Sequence, residues 1–173
     1  MSVPANPPAC PGCGVELPEL DALTPANVGA APACWALYGR LLVYEYSQVR
    51  SPRVHRLTVD TYAVQHPGAP EHGPICSVGL HLIGLCLVLE RGASARQTTE
   101  QLAQVLEDPP PFRWLEPPVP NGTLTVSDVV TARNPGEQTQ LVEQWATRTW
   151  DAWAPHHAAV RGWIDGSISR PRL

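Results

Sequence analysis

No cluster of basic residues occurs anywhere in this chain. Its 12 Lys and Arg side chains are scattered among 16 acidic ones, for a net charge of −4 and a pI near 5.8, so nucleic acid is not an expected partner. The acids do not gather into a tail. The opening MSVPANPPAC has neither the charged nor the apolar part of a secretory leader. The longest apolar run, residues 78–89, is interrupted by His81 and is too short for a bilayer. An even complement of cysteines is missing too: there are five, which argues against a disulfide framework. The expected setting is a reducing cytoplasm without membrane association, where thiols serve as ligands or core residues.

What is present is a chain of 173 residues with 43 % apolar content, enough for one folded domain with its own core. Its 20 prolines imply ordered loops and sharp helix stops. The expected fold is all-α: a compact antiparallel helical bundle with a Pro-rich strap and an N-terminal zinc-knuckle-like CPxCG segment. Residues 1–31 should be a loose segment whose knuckle docks on the bundle, 32–166 the helical domain, and 167–173 a disordered tail.

The knuckle is CPGCG, residues 10–14. Two thiolates separated by two residues can chelate one metal ion, and glycines let backbone amides turn toward the sulfurs. A redox-active CxxC is the alternative. A tetrahedral zinc ion needs two further ligands. Residues 15–31 read as an extended crossing segment. A first helix is expected from 32 to about 48, with Cys34 in its first turn, either a ligand or a small buried residue.

Residues 51–67, SPRVHRLTVDTYAVQHP, predict a second helix, with Pro52 at its first position and Pro67-Gly68 as its stop. It concentrates polar chemistry: His55, Arg56, Asp60, Tyr62 and His66. A third helix, 74–90, is apolar nearly all round and therefore central. It contains His81, Cys86 and two glycines, Gly79 and Gly84, that allow close approach of a helix or a ligand. A fourth helix spans 95–107. The stretch DPPPFRWLEPPVPNG cannot be regular helix and forms the strap, pinned by Phe112, Trp114 and Leu115. Thr125 and Asp128 suit the cap of a short helix, and Asn134-Pro135 restarts the chain as a long final one. That segment carries Trp145, Trp150, Trp153 and Trp163, a core stripe first and a ligand wall second. Pro155 breaks it, and of His156 and His157 at most one can serve a site.

Short turns make the first three helices antiparallel. Cys34, His66 and Cys76 then share one end of the bundle, where the knuckle could dock. Cys34 and His66 are the first choice to complete a site with Cys10 and Cys13; Cys76 and His72 are the second. At a deeper level Tyr38, Asp60 and His81 fall at one height. A carboxylate beside an imidazole fixes its tautomer and raises its basicity, so these three could form an acid–base centre, or a buried polar network that fixes register. His55 should lie toward the other end of the bundle, near the strap or the final helix.

CPGCG, PACWALYGRLLVYEYS, HRLTVDTYAVQHPG, SVGLHLIGLCLVLERG, FRWLEPP, LTVSDV and WDAWAPHHAAVRGW together resemble the DUF5946 family of bacterial proteins, in order and spacing, over most of the chain. The resemblance implies a compact bacterial domain and brings no activity or catalytic residues with it. Between residues 15 and 29 the chain departs from the family's pattern, where a Gly-Pro-Thr-His-like segment is expected.

Three functional readings follow. The first is a zinc-binding helical protein with metal ligands Cys10, Cys13, Cys34 and His66 and a small-molecule pocket in its bundle. The second is a metal- or acid/base-dependent enzyme drawing on Asp60, His81, Tyr38, His55 and His156. The third is an interaction module whose Trp-rich C-terminal helix docks a partner.

Overall fold

Each helix of the chain begins where a proline or a short polar side chain occupies the position before or at its first turn. A computed structural model describes residues 7–48, 51–120 and 124–168; the two residues before Ser51, the end of the strap at 121–123 and both chain termini lie outside the described residues. Among these, seven helices form and no strand beyond two isolated bridges.

Helix α1, Pro32–Ser47, and α2, Pro52–Gln65, both start on proline, and Ser51 Oγ accepts the amide of Val54 to cap α2. Helix α3 is His72–Leu89. Helix α4, Ala95–Glu107, opens on a reciprocal capping box between Ser94 and Gln97. The short α5, Val126–Val129, has the same device in Thr125 and Asp128, and Asn134 caps α6, Pro135–Ala152. After Trp153 comes one 3₁₀ turn, Ala154–His156, and then α7, His157–Ile168. The expected long final helix is thus two helices, broken at Pro155. Ser167 and Ile168, expected in the C-terminal tail, belong to α7; the rest of the expected tail, 169–173, lies outside the described residues.

Helix α3 is the hub and packs against α2, α4, α6 and α7, while α1 lies against α5 and α2. At 18 residues α3 is long and apolar enough to cross a membrane by length and composition, a length that the run 78–89 understates. More than half of it is buried inside this fold, as befits a core helix. Its two glycines are notches. A Cβ at Gly79 would sit 2.5 Å from the Phe112 ring, so the strap inserts its aromatic anchor there, edge-on to Trp163. A Cβ at Gly84 would sit 2.3 Å from Asp60 Oδ2, so the second notch receives a carboxylate of α2 rather than a ligand.

Trp145, Trp150, Trp153 and Trp163 are all buried. Trp145 Nε1 donates to Gln65 Oε1 at 3.0 Å, and Trp150 Nε1 donates to Glu90 Oε1 at 3.1 Å. These four side chains are core residues that bind α6 and α7 to α2 and α3.

Glu90, at the C-terminal end of α3, is an acid where the helix dipole disfavours one. Arg161 of α7 offsets this with a two-pronged bond of 2.9 and 2.7 Å. Those bonds, with help from Trp150, hold the Glu90 carboxyl down at about 2 against an ordinary 4.5. A lowered value means a contribution that is complete above pH 4.5 and lost as pH falls toward 2. Glu90→Gln is expected to flatten the acid limb of the stability curve over that window, measured by thermal melts at stepped pH.

Candidate metal centre

The first loop of the chain is built to be small and closed. Cys10 N donates to Val15 O and Gly14 N to Cys10 O, both at 2.8 Å, and Ala9 bridges Glu16 across the turn. Gly14 takes a φ of +75°, in the region open to glycine. Gly12 is needed for a different reason. A Cβ there would stand 2.6 Å from His66 Cδ2 and 2.7 Å from the carbonyl oxygens of Gln65 and Gly29. Only a residue without a side chain lets the loop settle on the end of α2.

The segment after the loop returns to the same place. Gly29 N donates to His66 O at 3.0 Å, Val28 bridges Pro67, and α1 then starts with Cys34 in its first turn. Three chain segments thereby deliver Cys10, Cys13, Cys34 and His66 to one point. Their donor atoms all lie within 4.8 Å of one another, and this group could hold a metal ion. Cys13 Sγ and Cys34 Sγ are 3.8 Å apart, and Cys34 Sγ is 3.3 Å from His66 Nε2. A tetrahedral ion with metal–sulfur bonds of about 2.3 Å sets its sulfurs about 3.8 Å apart, the spacing that Cys13 and Cys34 already have. All five cysteines are free thiols.

The surroundings aim each donor. His66 Nδ1 donates to the Tyr62 carbonyl at 2.8 Å, which leaves Nε2 with its lone pair toward the thiols. The His66 ring lies on Tyr62 at 4.0 Å, and Tyr62 lies on Tyr38 at 3.9 Å. Tyr62 Oη donates to Cys34 Sγ at 3.7 Å, and the Ala31 amide donates to Cys10 Sγ at 3.3 Å. The donors are 0–5 % exposed, a closed shell with no side open to water.

Three thiols at this spacing cannot all ionise without a cation. Cys10 is held far below the ordinary thiol value by bonds from the Cys13 and Cys34 thiols. The Cys10 neighbour pushes Cys13 up to about 12, and pushes Cys34 higher still. A metal ion bound by thiolates displaces the protons that the raised thiols hold. Calorimetric titration of the metal-stripped chain in two buffers of different ionisation enthalpy is expected to read that release, and the apparent affinity to rise with pH.

The other expected site residues are distributed differently. His81 Nδ1 meets Asp60 Oδ1 at 2.8 Å, and Arg56 Nη1 approaches the same oxygen at 3.6 Å. Tyr38 makes no hydrogen bond to Asp60 or His81 among the described residues; its ring stacks on Tyr62, and burial with the nearby charges of Glu45 and Asp60 pushes its phenol pKa up. His55 lies at the far end of α2 from His66, beside a cleft that it lines together with Pro135 and Thr139 of the long helix α6. Its Nδ1 meets Glu45 Oε2 at 2.8 Å, and Thr58 Oγ1 donates to the other Glu45 oxygen at 2.6 Å. Glu45 was not among the expected site residues, although it follows Cys34, Tyr38 and Leu41 on the buried seam of α1 at helical spacing. His156 Nε2 donates to Glu116 O at 2.9 Å and so pins the strap. His157 donates to Trp150 O and stacks on that ring. Cys76 and His72, the second-choice ligands, face each other at 3.7 Å on α3 outside the buried group.

No curated protein and no solved structure matches the chain. The sequence profile of DUF5946, a family of unknown function, matches residues 8–154, a span running from the knuckle through α6, and the chain belongs to that family.

Proposed function

We propose that this protein binds one zinc ion through Cys10, Cys13, Cys34 and His66, and that the ion is structural. The observation that carries the reading is the group of four buried donors within 4.8 Å of one another, with Cys10, Cys34 and His66 each aimed by a backbone or ring contact. Three sulfurs and one imidazole nitrogen suit zinc, and a shell closed on all sides is the structural rather than the catalytic type. The ion ties the N-terminal loop, the start of α1 and the end of α2 together. A reducing compartment such as the bacterial cytoplasm keeps the thiols available for it. Elemental analysis of the purified full chain tests this: about one zinc per chain is expected, and none in Cys13→Ala. If neither preparation contains metal and the variant melts like the parent, the reading fails.

A second reading, acid–base chemistry, has the Asp60–His81 contact behind it. His81 Nδ1 is turned to a fully buried carboxylate, and Nε2 has no partner among the described residues. An activated Nε2 should be acylated by diethyl pyrocarbonate faster than exposed His72; equal rates would remove the support.

A further inference from the structure

The four donors are closed off from solvent, yet an ion has to reach them. Cys13 is the most exposed of the set, at 5 %, against 0–2 % for Cys10, Cys34 and His66. It also lines a cleft of about 30 Å³ whose walls include the strap, residues 117–120, and Thr149 and Ala152 of α6. We propose that this stretch of the strap is the gate of the metal centre, lifting to let the ion in or out past Cys13. The inference rests on the zinc reading and adds to it a route and the residues that control it.

The covers over the other three donors are built into the fold. His66 lies under the Tyr62 ring at 4.0 Å and against the backbone at Gly12. Cys34 sits in the first turn of α1 with Tyr62 Oη on its sulfur, and the Ala31 amide crosses Cys10. The cover over Cys13 is of another kind. Pro117, Pro118 and Pro120 have no N–H to donate. Among the described residues no backbone hydrogen bond ties 117–120 to the fold. Val119 is 80 % exposed and anchors nothing.

The strap is fastened upstream of this stretch. Phe112 fills the Gly79 notch, Leu115 is buried, and His156 Nε2 donates to Glu116 O at 2.9 Å. Beyond that bond the strap rests on packing, with Pro120 set against Gly14 of the knuckle. The His156 bond is therefore the last polar fastening before the gate. A segment with so few bonds opens at a low free energy, and a proline-rich run moves as a stiff piece. A cleft of about 30 Å³ has room for one or two waters and none for a chelator, so removal of the ion requires the strap to lift.

The test follows zinc loss from the loaded full chain to excess EDTA, with the affinity taken from end points at graded EDTA. His156→Ala removes the last fastening and should speed the loss about fivefold, the factor of one ordinary hydrogen bond. Pro118→Gly loosens the strap itself and should speed it about threefold. In both variants zinc content and affinity should match the parent, because a gate changes passage in the two directions alike. The inference is overturned if either variant loses zinc at the parent's rate. It is overturned too if faster loss comes with an equal fall in affinity, which would place the effect on the donors. A chain that holds no zinc overturns the zinc reading and this inference together, whereas parental rates in the zinc-loaded variants overturn the gate alone.

Discussion

Cys34→Ser is expected to strip the ion and lower the unfolding free energy of the zinc-supplied protein by about 4 kcal/mol or more. The size follows from linkage: a ligand bound only by the folded state, at a thousandfold excess over its dissociation constant, stabilises by about 4 kcal/mol. Cys34 is the informative ligand because of where it sits. Cys10 and Cys13 belong to one loop, and His66 is already tied to that loop through Gly29 and Gly12. Cys34 alone carries the bond to α1, and α1 has few other attachments beyond α5 and α2. Guanidinium unfolding with excess zinc, and again with a chelator, reads the effect. The parent in chelator should fall to the level of the variant, and the variant should be indifferent to zinc. Cys76→Ser, whose thiol faces only His72 on the surface of α3, is the control and should leave the curve within about 0.5 kcal/mol. Equal midpoints for parent and Cys34→Ser in excess zinc would remove the structural role.

The residues that could be placed from sequence were those governed by local rules. Thr125 and Asp128 satisfy each other's neighbouring amides within four residues, so the cap of α5 was legible, as was the start of α6 at Asn134-Pro135. Helix ends were legible too, and with short turns between antiparallel helices they give depth. That is why Cys34, at the start of α1, and His66, at the end of α2, could be paired with the knuckle. Depth says nothing about rotation. Tyr38 and Asp60 lie at similar heights, yet Tyr38 stacks on Tyr62, and His55, at the far end from the metal group, finds Glu45 of α1, a partner that depth alone does not name. Those outcomes depend on how each helix is rolled, which one apolar face constrains only loosely when the helix is apolar or polar on several sides. The start of α3 was misplaced for a simpler reason. Pro74 looks like a first residue, but first-turn amides have no partner inside a helix, so the helix can begin at His72 with proline two residues in. Gly12 shows the opposite limit: its role depends on atoms from residues 29, 65 and 66, which no local pattern reveals.

Gly84→Ala should carry opposite signs in two backgrounds, and that reversal is the sharpest test of how α2 and α3 are joined. In an ordinary helix interior the change favours folding by up to about 1 kcal/mol, because glycine is the poorer helix former. Here the new methyl would stand 2.3 Å from Asp60 Oδ2 and 2.9 Å from its Cγ. The carboxylate cannot swing aside freely, since its other oxygen is held by His81 and approached by Arg56. Overpacking of this kind costs about 3 kcal/mol, so the net loss in the parent is expected near 2 kcal/mol. Asp60→Ala removes the obstacle. In that background only the helix preference remains, and Gly84→Ala should then stabilise by up to about 1 kcal/mol. The coupling between the two positions is therefore about 3 kcal/mol, at the upper end for residues in contact. Urea unfolding of the parent, both single variants and the double variant measures it. Additivity within about 0.5 kcal/mol would mean that Asp60 does not occupy the Gly84 notch, and the Asp60–His81 pair would lose the wall that holds it in place.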